Sequence, residues 1–206
     1  MRQKRQFALW TLFTIVFLSA VTMTVVVRLI QIAAQQEVVR QVVSAGGDIY
    51  YQFPFRFIVA LRLDARMLSE EDVAAIGELK RLRRLTMSEC EVPEDFEWLT
   101  QLKRLRSLDV EGTKLTENQV SVISTVQTLS VLGLSKTDLN DQGLAKLSSL
   151  ERLYSLSIKS NPISDESLST LKQMERLQFL DIRGTQITAA GLQQLQAALP
   201  DCKIKS

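Results

Sequence analysis

The chain has 206 residues with 46% hydrophobic and 23% charged side chains, which suits one good-sized folded domain plus an appendage and not a disordered chain. Its net charge of +2 gives no global pull toward nucleic acid, and with Arg2, Lys4, Arg5 and Arg28 set aside the remainder is slightly acidic. Histidine is absent and the two cysteines, Cys90 and Cys202, form no C-x-x-C, which removes His-based acid/base chemistry, Ser-His-Asp and Cys-His pairs, most zinc sites and a disulfide-stapled scaffold.

Residues 1–6 are short and basic. Residues 7–27, FALWTLFTIVFLSAVTMTVVV, carry no charge and match the roughly 20 residues that cross a bilayer core. The hydroxyls of Thr11, Thr14, Ser19, Thr22 and Thr24 can bond the carbonyl one turn back, and Trp10 lies near one end, where an indole suits the interface. The run is longer than the roughly 7–15 apolar residues of a signal peptide, so an uncleaved transmembrane helix is expected. Three basic residues precede it and only Arg28 follows at once, which puts residues 1–6 in the cytoplasm and the rest on the extracytoplasmic side. Cleavage after Ala34, giving a secreted protein, is the alternative.

Residues 28–57 read as an N-terminal cap. A helix is expected through Ala45, stopped by Gly46 and Gly47, followed by a strand with Ile49, Tyr51 and Phe53 on one face.

From residue 58 to 206 the chain repeats. Leu61, Leu85, Leu108, Leu132, Leu156, Leu180 and Ile204 recur at steps of 24 residues, with one step of 23. Two residues beyond them stand Leu63, Met87, Val110, Leu134, Ile158 and Ile182. Three further stand Arg66, Cys90, Thr113, Thr137, Asn161 and Thr185, and then Leu68, Val92, Leu115, Leu139, Ile163 and Ile187. The alternating apolar pair suits a short strand. Ser69, Thr116, Asn140, Ser164 and Thr188 are N-cap residues for a helical return leg, and TENQ at 116–119 has capping-box spacing. The pairs Val120/Ile123, Leu144/Leu147, Leu168/Leu171 and Leu192/Leu195 face the strands. No single repeat buries its own apolar face, so the repeats must stack.

The pattern L-x-x-L-x-L-x-x-[T/N/C]-x-[I/L] resembles the leucine-rich repeats, over about residues 58–206. TDLNDQGLAKL (137–147) and TQITAAGLQQL (185–195) are similar to the T-x-I-T-D-x-G-L-x-x-L form of short bacterial repeat proteins, notably those of planctomycetes. The resemblance implies an α/β solenoid of about six repeats, with short parallel strands on a concave face and short helices on a convex face, behind one transmembrane helix. At the Thr/Asn/Cys position, side chains are expected to bond backbone groups of the neighbouring coil.

One repeat departs from the pattern. CEVPEDFEWL (90–99) is one residue short, and Pro93 replaces the cap; Glu94 and Asp95 still suit a helix start, but a local irregularity is expected there. LPDCKIKS closes the chain with a stub strand whose lysines keep its edge soluble. Cys90 is expected as a buried ladder residue. It lies some 20 Å from Cys202 at a strand spacing of about 4.8 Å, beyond disulfide reach, which leaves Cys202 only an intermolecular partner.

The outward strand residues form the expected binding face. Val131, Tyr154 and Phe179 are its apolar members, with Asp109, Glu111, Ser157 and Asp181 around them. A basic edge of Lys80, Arg81, Arg83, Arg84, Lys103, Arg104 and Arg106 either covers apolar surface with its stems or meets an acidic partner, an anionic polymer or lipid headgroups. No catalytic, cofactor or metal-binding residues are assigned. The expected function is a non-catalytic, membrane-anchored module that binds a protein or an envelope polymer through its concave face. A self-associating structural component of the envelope is the alternative.

Overall fold

The computed structural model describes residues 48–52 and 57–206. The apolar span at 7–27, the helix expected through Ala45, its stop at Gly46 and Gly47, and Phe53 lie outside the described residues. Among the described residues no helix is long and apolar enough to cross a membrane.

The recurring leucines form strands that pair in chain order. β1 (Asp48–Gln52), β2 (Phe57–Asp64), β3 (Arg84–Ser88), β4 (Ser107–Asp109), β5 (Val131–Gly133), β6 (Ser155–Ser157), β7 (Phe179–Asp181) and β8 (Lys203–Lys205) make one eight-stranded sheet. β1 runs antiparallel to β2, and every later pair is parallel. Leu61, Leu85, Leu108, Leu132, Leu156, Leu180 and Ile204 pair in succession, so the repeat length is also the register of the sheet. All but Ile204 are buried, while their neighbours in β4, β5 and β6 stay partly accessible. The period of two thus gives one packed and one open face.

The return legs supply the other wall of the core. α1 (Glu70–Gly77), α2 (Glu117–Thr125), α3 (Asp141–Leu147), α4 (Leu168–Gln173) and α5 (Ala189–Ala198) bury Val73 and Ile76, Val120 and Ile123, Leu144 and Leu147, Leu168 and Leu171, and Leu195. Every expected N-cap is used. Ser69 and Thr116 each close a full capping box, and Asn140 and Thr188 accept from the backbone N–H of Gly143 and Gly191. Ser164 caps a 3₁₀ turn, Asp165–Ser167, which precedes α4. The last coil is less covered: Ile187, Leu192, Cys202 and Ile204 are only half-buried, whereas Ile163, Leu168 and Leu180 one coil earlier are buried.

Side chains stitch the coils together at two levels. At the Thr/Asn/Cys position, Thr113 Oγ1 donates to the Met87 carbonyl at 2.9 Å and accepts from the Cys90 N–H at 3.1 Å. Asn161 Nδ2 donates to Leu134 O at 2.6 Å, and its Oδ1 accepts from Thr137 N and Leu139 N at 3.0 and 3.1 Å. Thr137 and Thr185 instead donate to a carbonyl of their own coil, at Leu134 and Ile182. The ladder is therefore carried by Cys90, whose Sγ donates to the Leu63 carbonyl of the preceding coil at 3.7 Å, by Thr113 and by Asn161, while the Thr137 hydroxyl bonds within its own coil. The second level explains D-x-G. The Asp165 carboxylate takes the N–H and hydroxyl of Thr188, the next coil's cap, at 2.9 and 2.7 Å. Asp141 does the same for Ser164 at 3.0 and 2.8 Å and also meets Ser167 Oγ. A Cβ at Gly191 would collide with Asp165 Oδ1, so the glycine makes room for the clamp.

One irregularity expected from the sequence is present, and one local expectation is corrected. The Pro93 segment begins no α-helix. It runs without helix or strand, through a bend at Glu94, to a 3₁₀ turn, Glu97–Gln101, where Asp95 Oδ1 accepts from the Glu97 N–H at 2.8 Å. The missing residue leaves too little chain for an α-turn, and Phe96 and Trp98, both buried with ring centroids 5.6 Å apart, fill the space. In β1 the register shifts between Tyr50 and Tyr51, so Ile49 and Tyr51 do not alternate regularly onto one face. Ile49 is half-buried and both tyrosines are exposed.

Candidate functional site: the open face of the sheet

Because the register is fixed, the open face is a grid. Its first column is Ala60, Arg84, Ser107, Val131, Ser155, Phe179 and Lys203. Its second is Arg62, Thr86, Asp109, Gly133, Ser157, Asp181 and Lys205. Beyond each strand the chain turns through a left-handed residue: Ala65, Glu89, Gly112, Lys136, Ser160 and Gly184 all have positive φ. The N–H groups of the first five reach the carbonyls of Ser88, Glu111, Ser135, Lys159 and Arg183 on the next coil at 2.7–2.9 Å. This turn column was missed from sequence, although Gly112 and Gly184 in one register mark it.

Small residues floor the centre of the grid. Ser135 Oγ and Ser157 Oγ share a hydrogen bond at 2.8 Å, and Asp109 leans over Gly133, where a Cβ would strike its carboxylate. Val131 and Phe179 are half-buried, and Ser155 lies between them in the register. Tyr154 is exposed in the turn before β6, where its carbonyl accepts from Gln178 N and Phe179 N. The three apolar residues thus lie along one edge with polar positions between them. Lys205 Nζ sits 5.1 Å from the Phe179 ring centroid, so that ring already carries a cation.

The acids differ sharply. Burial pushes the Asp109 carboxyl up, and neighbouring Glu111 adds to this, while the Glu111 N–H and Arg62 work the other way. Glu111 lies 3.7 Å from Lys136. Asp181 is bound by Arg183, with Nη2 2.6 Å from Oδ2 and Nε 2.9 Å from Oδ1, and this pairing holds its carboxyl below the usual carboxylate range. The Asp181 side chain is 6% exposed, so this expected contact residue is spent internally. Among the described residues no group of three or more Cys, Asp or Glu is arranged to hold a metal ion.

Every residue of the expected basic edge is exposed. Arg83 and Arg106 stack directly, the Arg106 N–H donating to the Arg83 carbonyl at 2.9 Å. Lys80 Nζ donates to the Gly77 carbonyl at 2.9 Å. A cavity of about 430 Å³ opens beside this edge, with Arg62, Arg83 and Arg84 in its wall.

No protein-family profile matches the chain, and a search of curated proteins gives no match. Solved structures do match. An internalin from Listeria monocytogenes is similar at TM-score 0.53 and 19% identity, over 65% of this chain and 37% of that one. A second, internalin C2 of the same organism, matches at TM-score 0.51 and 23% identity, over 71% of this chain and 70% of that one. The chain thus spans little more than a third of the first internalin. Together with the in-register parallel strands and short return helices, these similarities define the fold as a leucine-rich-repeat α/β solenoid.

Proposed function

We propose that this protein is a non-catalytic binding module, anchored in a membrane by residues 7–27, that takes a protein partner on the open face of its sheet outside the cytoplasm. The observation that carries this reading is the face itself. Ser107, Val131, Gly133, Ser155, Ser157 and Phe179 are all partly accessible and held in strict register by parallel pairing. A surface so constrained binds without reorganising, which lowers the cost of association. Phe179, Val131 and Tyr154 supply apolar contact area, and Lys159, Arg183 and Lys205 supply charge at the same end. The uncharged run at 7–27, basic before it, supports the anchor and its orientation.

Proximity labelling in the native cell with a C-terminal tag, paired with protease shaving of intact cells, tests the reading. A shaved tag and a reproducible set of labelled envelope proteins are expected. Labelling should fall in the variants Val131→Asp, Tyr154→Ala and Phe179→Ala. A tag protected from protease contradicts the topology. A tag that labels only this protein favours self-assembly instead.

A further inference from the structure

A cavity opens at the β1–β3 end of the open face. Its wall includes Tyr50 of β1, Val59 and Arg62 of β2, Arg83 just before β3, and Arg84 and Thr86 within β3. Its volume, about 430 Å³, falls in the range of small-ligand sites, roughly 300–1,000 Å³. Three guanidinium side chains on one cavity of this size are a concentration of donors that packing does not require. The core beneath is complete, since Leu61 and Leu85 are already buried.

Only one of the three arginines is directly paired. Arg62 Nε bonds Asp64 Oδ2 at 2.7 Å, so that pair is neutral. Arg83 and Arg84 have no side-chain hydrogen bond or ion pair among the described residues. Two arginines on consecutive residues, neither in a direct ion pair among the described residues, therefore share one cavity. The carboxylates that act on Arg62 are Asp48, Asp64 and Asp109, and Tyr50 is the other titratable group near it.

We propose that this cavity binds a phosphate-monoester group, or inorganic phosphate itself. A single carboxylate brings one negative charge and leaves one arginine uncompensated. A phosphate monoester brings about −1.5 to −2 charges near pH 7 and three acceptor oxygens. The forked guanidinium matches those oxygens with two parallel N–H donors, and Thr86 and Tyr50 add hydroxyl groups at the wall. The site opens on the same face as the proposed docking surface but does not rest on it, because its residues lie at the opposite end of the sheet from Phe179.

The test is an amide chemical-shift titration of the full chain in non-ionic detergent micelles. The probes are inorganic phosphate, O-phosphoserine and sulfate, at matched ionic strength. Phosphate is expected to give saturable shifts confined to residues 59–62 and 83–86. The affinity for phosphoserine should rise several-fold from pH 5.5 to pH 8 as its dianion forms, around a second pKa of about 6, and that for inorganic phosphate should rise likewise but at higher pH. Sulfate, a dianion throughout, should bind with little pH dependence. Arg83→Gln with Arg84→Gln should weaken phosphate binding at least about tenfold, as expected for lost hydrogen bonds to charge. The charge-keeping Lys pair should lose less. Binding of phosphoserine assigns the site to esters, and binding of phosphate without phosphoserine assigns it to the free ion. Linear, scattered shifts overturn the proposal, and so does a Gln pair that binds phosphate as the unsubstituted chain does. The variants at Val131, Tyr154 and Phe179 should leave the titration unchanged, so failure of the protein-docking reading and failure of this site remain distinct.

Discussion

Asp109 and Asp181 occupy the same column of the sheet, and each accepts a hydrogen bond at 3.2 Å from the N–H two residues on, yet one carboxyl is pushed up and the other down. Burial raises the Asp109 carboxyl, and the residue supplying that N–H widens the difference. Behind Asp109 it is Glu111; behind Asp181 it is Arg183, whose guanidinium folds back onto the carboxylate. Asp181→Asn should therefore destabilise the fold at pH 7 by about 1–3 kcal/mol, the usual cost of losing hydrogen bonds to a buried charge. Asp109→Asn should cost nothing at pH 7 or stabilise slightly. Urea unfolding of the two variants reads the contrast.

The same pair fixes a pH dependence. Because the folded-state pKa of Asp181 is lowered, its contribution is present above the unfolded value of about 3.9 and is lost as pH falls through the lower folded value. Asp109 has the opposite sign: its contribution is present at acid pH and is lost as pH rises through its raised folded value. The stability difference between Asp109→Asn and the unsubstituted chain should shrink as the pH is lowered toward 4. Measured in the Asp181→Asn background, it should keep that trend.

Four of the six left-handed turn residues are not glycine: Ala65, Glu89, Lys136 and Ser160. An L side chain costs roughly 1–2 kcal/mol in this conformation. Lys136→Gly should raise stability by about 1 kcal/mol, at an exposed position where little packing is lost. Gly112→Ala should do the reverse, because its φ is +74° and a Cβ would lie 2.7 Å from Glu89 Cγ. Thermal unfolding compares the two directly.

Asn161 is the most connected side chain of the ladder. It donates to Leu134 O and Ile158 O and accepts from Thr137 N and Leu139 N, all within 3.1 Å. Asn161→Ala leaves these groups unpaired in the interior and should cost about 3 kcal/mol or more. Amide hydrogen exchange should speed most at Thr137 and Leu139. Uniform loss of protection along the chain would contradict a local role.

Much of this architecture was readable from residue spacing. The recurrence of Leu61, Leu85 and Leu108 fixes the strand register, because a coil that stacks must return the same side chain to the same place. Ser69, Thr116, Asn140 and Thr188 signal the helix starts, because an N-cap is a local hydrogen bond and needs no tertiary information. What escaped was set between coils. The Asp165–Thr188 clamp spans 23 residues, and its requirement for Gly191 becomes visible only when the two coils are superposed. The burial of Asp181 is likewise invisible in a polar strand residue until Arg183 is seen to cover it. At Glu97–Gln101 the sequence marks the irregular coil, but the side chains that fill it, Phe96 and Trp98, decide its shape.

The most direct test of the open face as a docking surface is photo-crosslinking in the native cell. A photoreactive residue at Ser155, between Val131 and Phe179 in the register, is compared with one at Ala145, exposed on α3. A discrete adduct with another protein from position 155, absent from position 145 and lost with Phe179→Ala, is the predicted result. An adduct from position 145 alone, or none from position 155 beyond a second copy of this chain, would contradict it.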